Sequence, residues 1–450
     1  MKNRKRTSLL VAFAAVVATS CSKIEPITAP VLSSPHADFS VVAAVGSSIT
    51  AGFQSGGLVG RHQTHGYASL FAEQVGARPL VLPLIDGDGI PPLLEIKRLV
   101  PPPIQIGRIS STPGNNTNAG PEIAYHNLGV PGALLQDLTD TTRYLSDPYF
   151  ALIQRGRGSI ARQIADPTQL SPQPTFLLLE YGADDLLGPA LKGTTTGLLS
   201  VANFESFFTR GLDTLAALLP NAKLAVVNVP DITALPFFTT VSNKQLDAAG
   251  RPVLDANGMP KFLLGPSLGS NNTPLPLTAN DLVLLSAQPQ IAAGFGYPIG
   301  TFSYLSGSPV PGNGIGLTDA QVLSTMLSTS EAATLRDRAL KFNFVIDTTA
   351  RSVTKPRDIA IVDLDGLLRR AKSPGIEIRR VLYTSAFVTG GLFSLDGAYP
   401  NDLAHALLCN EVIRAVNARF GSNIQPVDPL RFATLTSSRA GGVREEAAPR

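Results

Sequence analysis

The stretch Val41–Gly52, VVAAVGSSITAG, constrains the fold of this chain more than any other. Five small or apolar residues, Val41 to Val45, run directly into Gly46-Ser47-Ser48. A continuous apolar run bounded by glycine suits a parallel strand covered on both faces, and such strands belong to α/β proteins. A serine on a tight turn at the carboxyl end of that strand lies where open α/β sheets bind their ligands. There its hydroxyl is accessible, and adjacent backbone N–H groups stand ready for an oxyanion, which together are what a nucleophilic serine needs. Gly-Ser-Ser turns also serve as plain polar connections, so the remaining chain must decide.

The pattern recurs along the sequence. An amphipathic helix is expected over Tyr67–Val75, closed by Gly76. Residues 84–122 carry Pro-Pro and Asn-Asn runs and read as a long loop. Ile123–Leu128 reads as a strand that delivers the chain into Asn127 to Gly132, with a helix from there to about Leu145 and another over Pro148–Ala165. Thr175–Tyr181 (TFLLLEY) is a buried strand opening into Gly182-Ala183-Asp184-Asp185, Phe204–Leu219 a helix, and Lys223–Val229 a further strand. Residues 242–316, rich in glycine, proline and asparagine, read as an inserted cap or loop system. Thr318–Phe344 is expected to be a long helix, Asp358–Leu364 a strand, and Asn401–Phe420 a closing amphipathic helix. Strands alternating with helices imply a doubly wound, mostly parallel sheet. The main domain is expected over residues 38–425, with a disordered tail over 437–450.

The first 21 residues read as an export signal. A basic start is followed by the apolar run Leu9–Ala18, too short for a permanent membrane span. Thr19-Ser20-Cys21 is similar to a bacterial lipobox, which implies lipidation of Cys21 and a tether over residues 22–37. Ser22 after that cysteine implies an outer-membrane lipoprotein facing the periplasm or the surface. Formal charge is +3, and Lys2, Arg4, Lys5 and Arg6 of the leader supply all of that excess, so the remainder is near neutral and has no nucleic-acid footprint. Cys409 is the only other cysteine, in an apolar helical pattern that suits a buried free thiol.

Four polar turns now stand in order: Gly46-Ser47-Ser48, Asn127 to Gly132, Gly182-Ala183-Asp184-Asp185, and Asp396-Gly397-Ala398-Tyr399-Pro400. Over roughly residues 38–235 and 355–425 this order resembles the GDSL-type lipases and esterases, or SGNH hydrolases. That family's first block, Gly-Asp-Ser followed by small residues, is matched from Gly46 to Gly52, and its second, Asn-x-x-x-x-Gly, by Asn127 to Gly132. Its third, Gly-x-Asn-Asp, and its last, Asp-x-x-His-Pro, are approached by Gly182 to Asp185 and Asp396 to Pro400. The resemblance implies a three-layer α/β/α sandwich of flavodoxin-like type. It also implies Ser48 as nucleophile, Asp396 as the acid that orients the base, and an oxyanion hole from Ser48, Gly132 and position 184.

Three departures fall inside those blocks. Ser47 replaces an aspartate that mainly shapes the turn. Asp184 replaces the asparagine donor, and a carboxyl group serves an oxyanion only when protonated, which needs a raised pKa. Tyr399 stands in place of the base histidine, and a neutral phenol, titrating at about pH 10, is a poor acceptor for a serine proton. His405, six residues past Tyr399, and His65, in the loop after the serine turn, are the candidate substitute bases. His62, His126 and His36 read as loop, packing and tether residues, and Asp185 and Asp231 as turn or cap residues. No metal motif and no phosphate loop is present, so no cofactor is expected. The expectation is a lipid-anchored hydrolase of a small-molecule, lipid or glycan ester, with impaired or rerouted base catalysis. The alternative is a non-catalytic protein of the same fold that binds an acylated lipid or glycan.

Overall fold

A computed structural model describes residues 32–98, 104–267, 273–317, 319–320, 323–352 and 358–433. The leader with Cys21, the first part of the tether to residue 31, and the tail over 437–450 lie outside the described residues.

Strands at the five expected places form one parallel sheet, the second of them at Asn127–Gly129 where Ile123–Leu128 was expected. Its strands are β1 (Val42–Gly46), β2 (Asn127–Gly129), β3 (Phe176–Glu180), β4 (Lys223–Val227) and β5 (Ile359–Val362). They lie in the order β5-β4-β3-β1-β2, which is the flavodoxin-like arrangement. Every residue of β1 and β3 is buried, which is why both read as unbroken apolar runs. Gly46, at the end of β1, is in register with Gly129 of β2 and Glu180 of β3. Three strands therefore end level, and the three turns that follow them emerge side by side. The order of strands reverses between β1 and β3, and a crevice at the carboxyl ends is expected there.

Helices cover both faces. On one, α3 (Tyr67–Gln74) packs against α8 (Asp402–Phe420), and Phe176 of β3 meets Phe71 and Phe420 with ring centroids 5.5 and 5.9 Å apart. On the other, α5 (Val201–Leu218) packs against α6 (Thr329–Ala350), and Phe204 stacks on Phe342 at 3.8 Å. Each such aromatic removed from water contributes about 1.5–3 kcal/mol, so the first cluster fastens α3 and α8 to the sheet and the second fastens α5 to α6. Cys409 lies buried in α8 as a free thiol. The stretch read as an insertion gathers a small separate core from Leu263, Leu277, Val283, Ala287, Ile291 and Tyr297, together with Leu317 and Met326 just beyond it. Just ahead of it, the chain is tied to the Asp396 turn, where Phe237 N–H donates to the Gly397 carbonyl at 2.8 Å.

Four expectations fail locally. The helix expected to run to Leu145 is a single 3₁₀ turn, Leu135–Leu138. Gly132 breaks the path with φ +73°, and Asp140 binds the Thr142 N–H and hydroxyl at 2.8 and 2.6 Å, an Asx turn that competes with helix. Pro148–Ala165 is two short helices, Pro148–Ile153 and Ile160–Ile164, parted by left-handed Arg155, Gly156 and Gly158. The long helix begins at Thr329 rather than Thr318, because Ser328 and Glu331 form a capping box, and Met326–Leu327 pair with Leu282–Val283 as short strands. The loop over 84–122 contains a hairpin of Leu94–Arg98 with Gln105–Arg108. A helix α7 (Leu364–Lys372) had no counterpart in the sequence reading.

Candidate active site

The serine turn is built for close approach. A Cβ at Gly46 would overlap Thr50 and the Glu180 carbonyl, so only glycine lets β1 end against them. Ser48 then opens a one-turn helix, α1 (Ser48–Ala51), closed by left-handed Gly52 at φ +74°. Glu180, buried at the end of β3, holds this turn from behind. It accepts from Ser47 N–H at 3.1 Å, from Ser47 Oγ at 2.9 Å, and from Thr50 Oγ1 at 3.1 Å. Burial, and then the nearby Asp184, raise its carboxyl to about 7. The sequence reading passed over Glu180; the signal was an acid ending the apolar run TFLLLE.

Asn127, in block two, secures the same turn by donating to the Thr50 carbonyl at 2.8 Å. Three residues beyond β2, Gly132 turns left-handed and aims its N–H at Ser48 Oγ at 3.0 Å. Asp184 arrives from β3 on the first turn of α4 (Ala183–Ala190). Its Oδ2 accepts from Ser48 Oγ at 2.5 Å, from Ser48 N–H at 3.1 Å, and from Gly132 N–H at 3.2 Å. The two N–H groups that the resemblance assigns to an oxyanion thus converge on one carboxylate oxygen. Tyr399 donates its hydroxyl to Asp184 Oδ1 at 3.3 Å. Ser48, Gly132, Asp184 and Tyr399, drawn from four parts of the chain, therefore meet.

The electrostatics favour proton retention. Burial raises the Asp184 carboxyl above the ordinary carboxylate range, and the hydrogen bonds from Ser48, Tyr399 and Gly132 offset this only partly. Burial and the adjacent Asp184 push the Tyr399 phenol well above 10. Burial lifts Asp185 to about 7, and its carboxylate accepts from Leu135 N–H at 3.0 Å, a loop-positioning contact.

Asp396 does not orient the side chain at 399. Its Oδ1 accepts from the backbone N–H groups of Ala398 and Tyr399, both at 2.9 Å, and its Oδ2 from Gly56 N–H at 3.0 Å and Ser394 Oγ at 2.9 Å. With no imidazole to hold, the acid shapes the turn instead. The candidate substitute histidines are likewise bonded elsewhere. His65 Nδ1 meets Asp402 at 3.0 Å, and His62 Nδ1 meets the same carboxyl at 2.8 Å. Burial would raise Asp402, but these two rings outweigh it and hold the carboxyl far below the usual range. His405 is fully buried, its ring parallel to that of Tyr67 and its Nδ1 3.4 Å from the Tyr67 N–H. Burial lowers it to about 4. Among the described residues, neither His65 nor His405 makes a hydrogen bond to Ser48.

Behind Asp184 and Tyr399 lies an apolar cavity of about 60 Å³, walled by Ile49, Leu187, Leu235, Leu368, Ala371 and Leu407, among others.

At the switch point of a flavodoxin-like α/β sheet the chain thus gathers a serine, a glycine N–H and an acid. The chain belongs to the GDSL-like lipase/acylhydrolase family, whose sequence model matches residues 42–412. No curated protein matches the chain.

Proposed function

We propose that this protein hydrolyses a carboxylic ester of a short apolar acid through an acyl-enzyme on Ser48. The observation that carries the reading is the placing of Ser48 Oγ. It lies 3.0 Å from the Gly132 N–H and 2.5 Å from Asp184, and Asp184 itself lines the apolar cavity. An ester carbonyl held at Ser48 would direct its acyl group past Asp184 and Tyr399 into that cavity. A cavity of 150 Å³ takes benzene, with six carbons. By proportion, the cavity behind Asp184 has room for roughly two or three carbons. The leader argues for an exported protein anchored through lipidated Cys21, with Thr19-Ser20 before it and Ser22 after it favouring the outer membrane.

A second reading, a non-catalytic protein holding an acylated lipid or glycan, draws on a different fact. Ser48 is 1 % exposed, and the N–H donors of Ser48 and Gly132 are already taken by Asp184 Oδ2. Hydrolysis of p-nitrophenyl acetate, butyrate and octanoate by the purified protein and by Ser48→Ala separates the two. Turnover of the acetate and butyrate esters that vanishes in Ser48→Ala supports the hydrolase. An inert parent that still binds a short-chain ester supports the binding protein.

A further inference from the structure

We infer that Asp184 is the general base of this site, taking over the proton-transfer role that the family assigns to a histidine. The inference deepens the hydrolase reading and rests on it. A general base must lie within hydrogen-bond reach of the group whose proton it takes. Asp184 Oδ2 accepts from the Ser48 hydroxyl at 2.5 Å, whereas Asp396 is spent on backbone N–H groups and His65 on Asp402, and Tyr399, which also touches Ser48, is held as a neutral phenol. Tyr399 faces the other oxygen, Oδ1, as a donor, and so orients the carboxyl group while leaving Oδ2 toward Ser48.

The same oxygen occupies the oxyanion position, and proton transfer resolves that conflict. As Ser48 Oγ bonds to the ester carbonyl carbon, its proton passes to Asp184 and the carbonyl electron pair moves onto the substrate oxygen. Negative charge leaves Asp184 and appears on that oxygen. The Ser48 and Gly132 N–H groups, bonded to the carboxylate at rest, lose that partner's charge when Asp184 is neutralised and become available to the substrate oxygen where the charge appears. Asp184 returns the proton to the alcohol oxygen as the ester C–O bond breaks. A water molecule repeats the cycle on the acyl-enzyme: its proton goes to Asp184, its oxygen to the acyl carbon, and Ser48 recovers a proton as the acid departs.

The groups facing Asp184 set the pH range. Glu180 and Asp185 are carboxyls on the same strand end and helix, Tyr399 is a phenol, and the partners bonded to Asp184 are hydroxyls and amides. With buried carboxyls and a neutral phenol around it, Asp184 gives up its proton only above the ordinary carboxylate range, so kcat/KM rises with pH along a displaced acid limb.

The test is p-nitrophenyl acetate hydrolysis across pH 4–9 by the full-length protein, Ser48→Ala, Asp184→Asn and the pair Asp184→Asn with Tyr399→His. The expected result is Ser48-dependent turnover in the parent and a fall of about 10³-fold in Asp184→Asn, within the usual range for a general base. The acid limb disappears with it. The double variant, with an imidazole as base and an amide at 184, regains activity, and this shows that the asparagine is tolerated in the fold. Asp184→Asn that keeps or exceeds parental activity, with the acid limb in place, overturns the assignment of the base and leaves the hydrolase reading standing. A parent without Ser48-dependent turnover overturns both.

Discussion

Glu180→Gln isolates the price of keeping an acid beneath the serine turn. Glu180 is 2 % exposed, and burial with Asp184 nearby moves its carboxyl from an ordinary 4.5 to about 7. Between those two values the unfolded chain has released the proton and the native chain retains it. The native state then binds more protons than the unfolded state, so stability is full below about pH 4.5 and falls as pH rises to about 7. At about 1.4 kcal/mol per pH unit, the loss is about 3 kcal/mol and is complete above pH 7. Glutamine has nothing to titrate. It loses one acceptor oxygen toward Ser47 and Thr50, but that deficit does not change with pH. The assay is urea unfolding of parent and variant by circular dichroism from pH 4 to 8, read as the difference between them. That difference should shift by about 3 kcal/mol in favour of the variant over this interval. A difference that is flat with pH would refute the claim that Glu180 retains a proton in the folded protein.

Two further outcomes follow from other contacts. Tyr399→Phe removes the donor to Asp184 Oδ1; a hydrogen bond to a carboxylate contributes about 1.5 kcal/mol, so the acid limb of kcat/KM should move up by roughly one pH unit, and an unmoved limb would count against the contact. Phe342→Ala deletes a fully buried ring stacked 3.8 Å from Phe204 and should reduce stability by about 3–5 kcal/mol in urea denaturation, whereas a loss below about 1 kcal/mol would show that the α5–α6 contact does not depend on that stack.

The sheet was legible because its signal is local. Val42–Gly46 and Phe176–Glu180 are buried on both faces, so their composition alone marks them. The turns that carry Ser48, Gly132, Asp184 and Tyr399 were legible for the same reason, each following a strand or preceding a capped helix. What the sequence could not convey is where side chains end up once the turns are level. Asp396 has the right spacing for an orienting acid, yet it folds back onto its own turn. His405 sits six residues past Tyr399, about one turn into α8, but its face of that helix points into the core beside Tyr67. Asp402, unremarked in sequence, gathers both His62 and His65. Helix limits failed where short-range competition ruled, as with Asp140 against the helix after Gly132 and Ser328 against a start at Thr318.

The touch between Asp184 and Tyr399 bears on how such a pocket could arise. Residues in contact do not change independently. Putting histidine back at 399 alone sets an imidazole against an acid that still fills the oxyanion position. Putting asparagine back at 184 alone leaves Ser48 with no group to receive its proton. Either single step passes through a site with fewer working parts than its two ends. The pair is therefore a ratchet: once both exchanges are made, neither is readily undone alone, and relatives carrying one exchange should be scarcer than relatives carrying both or neither.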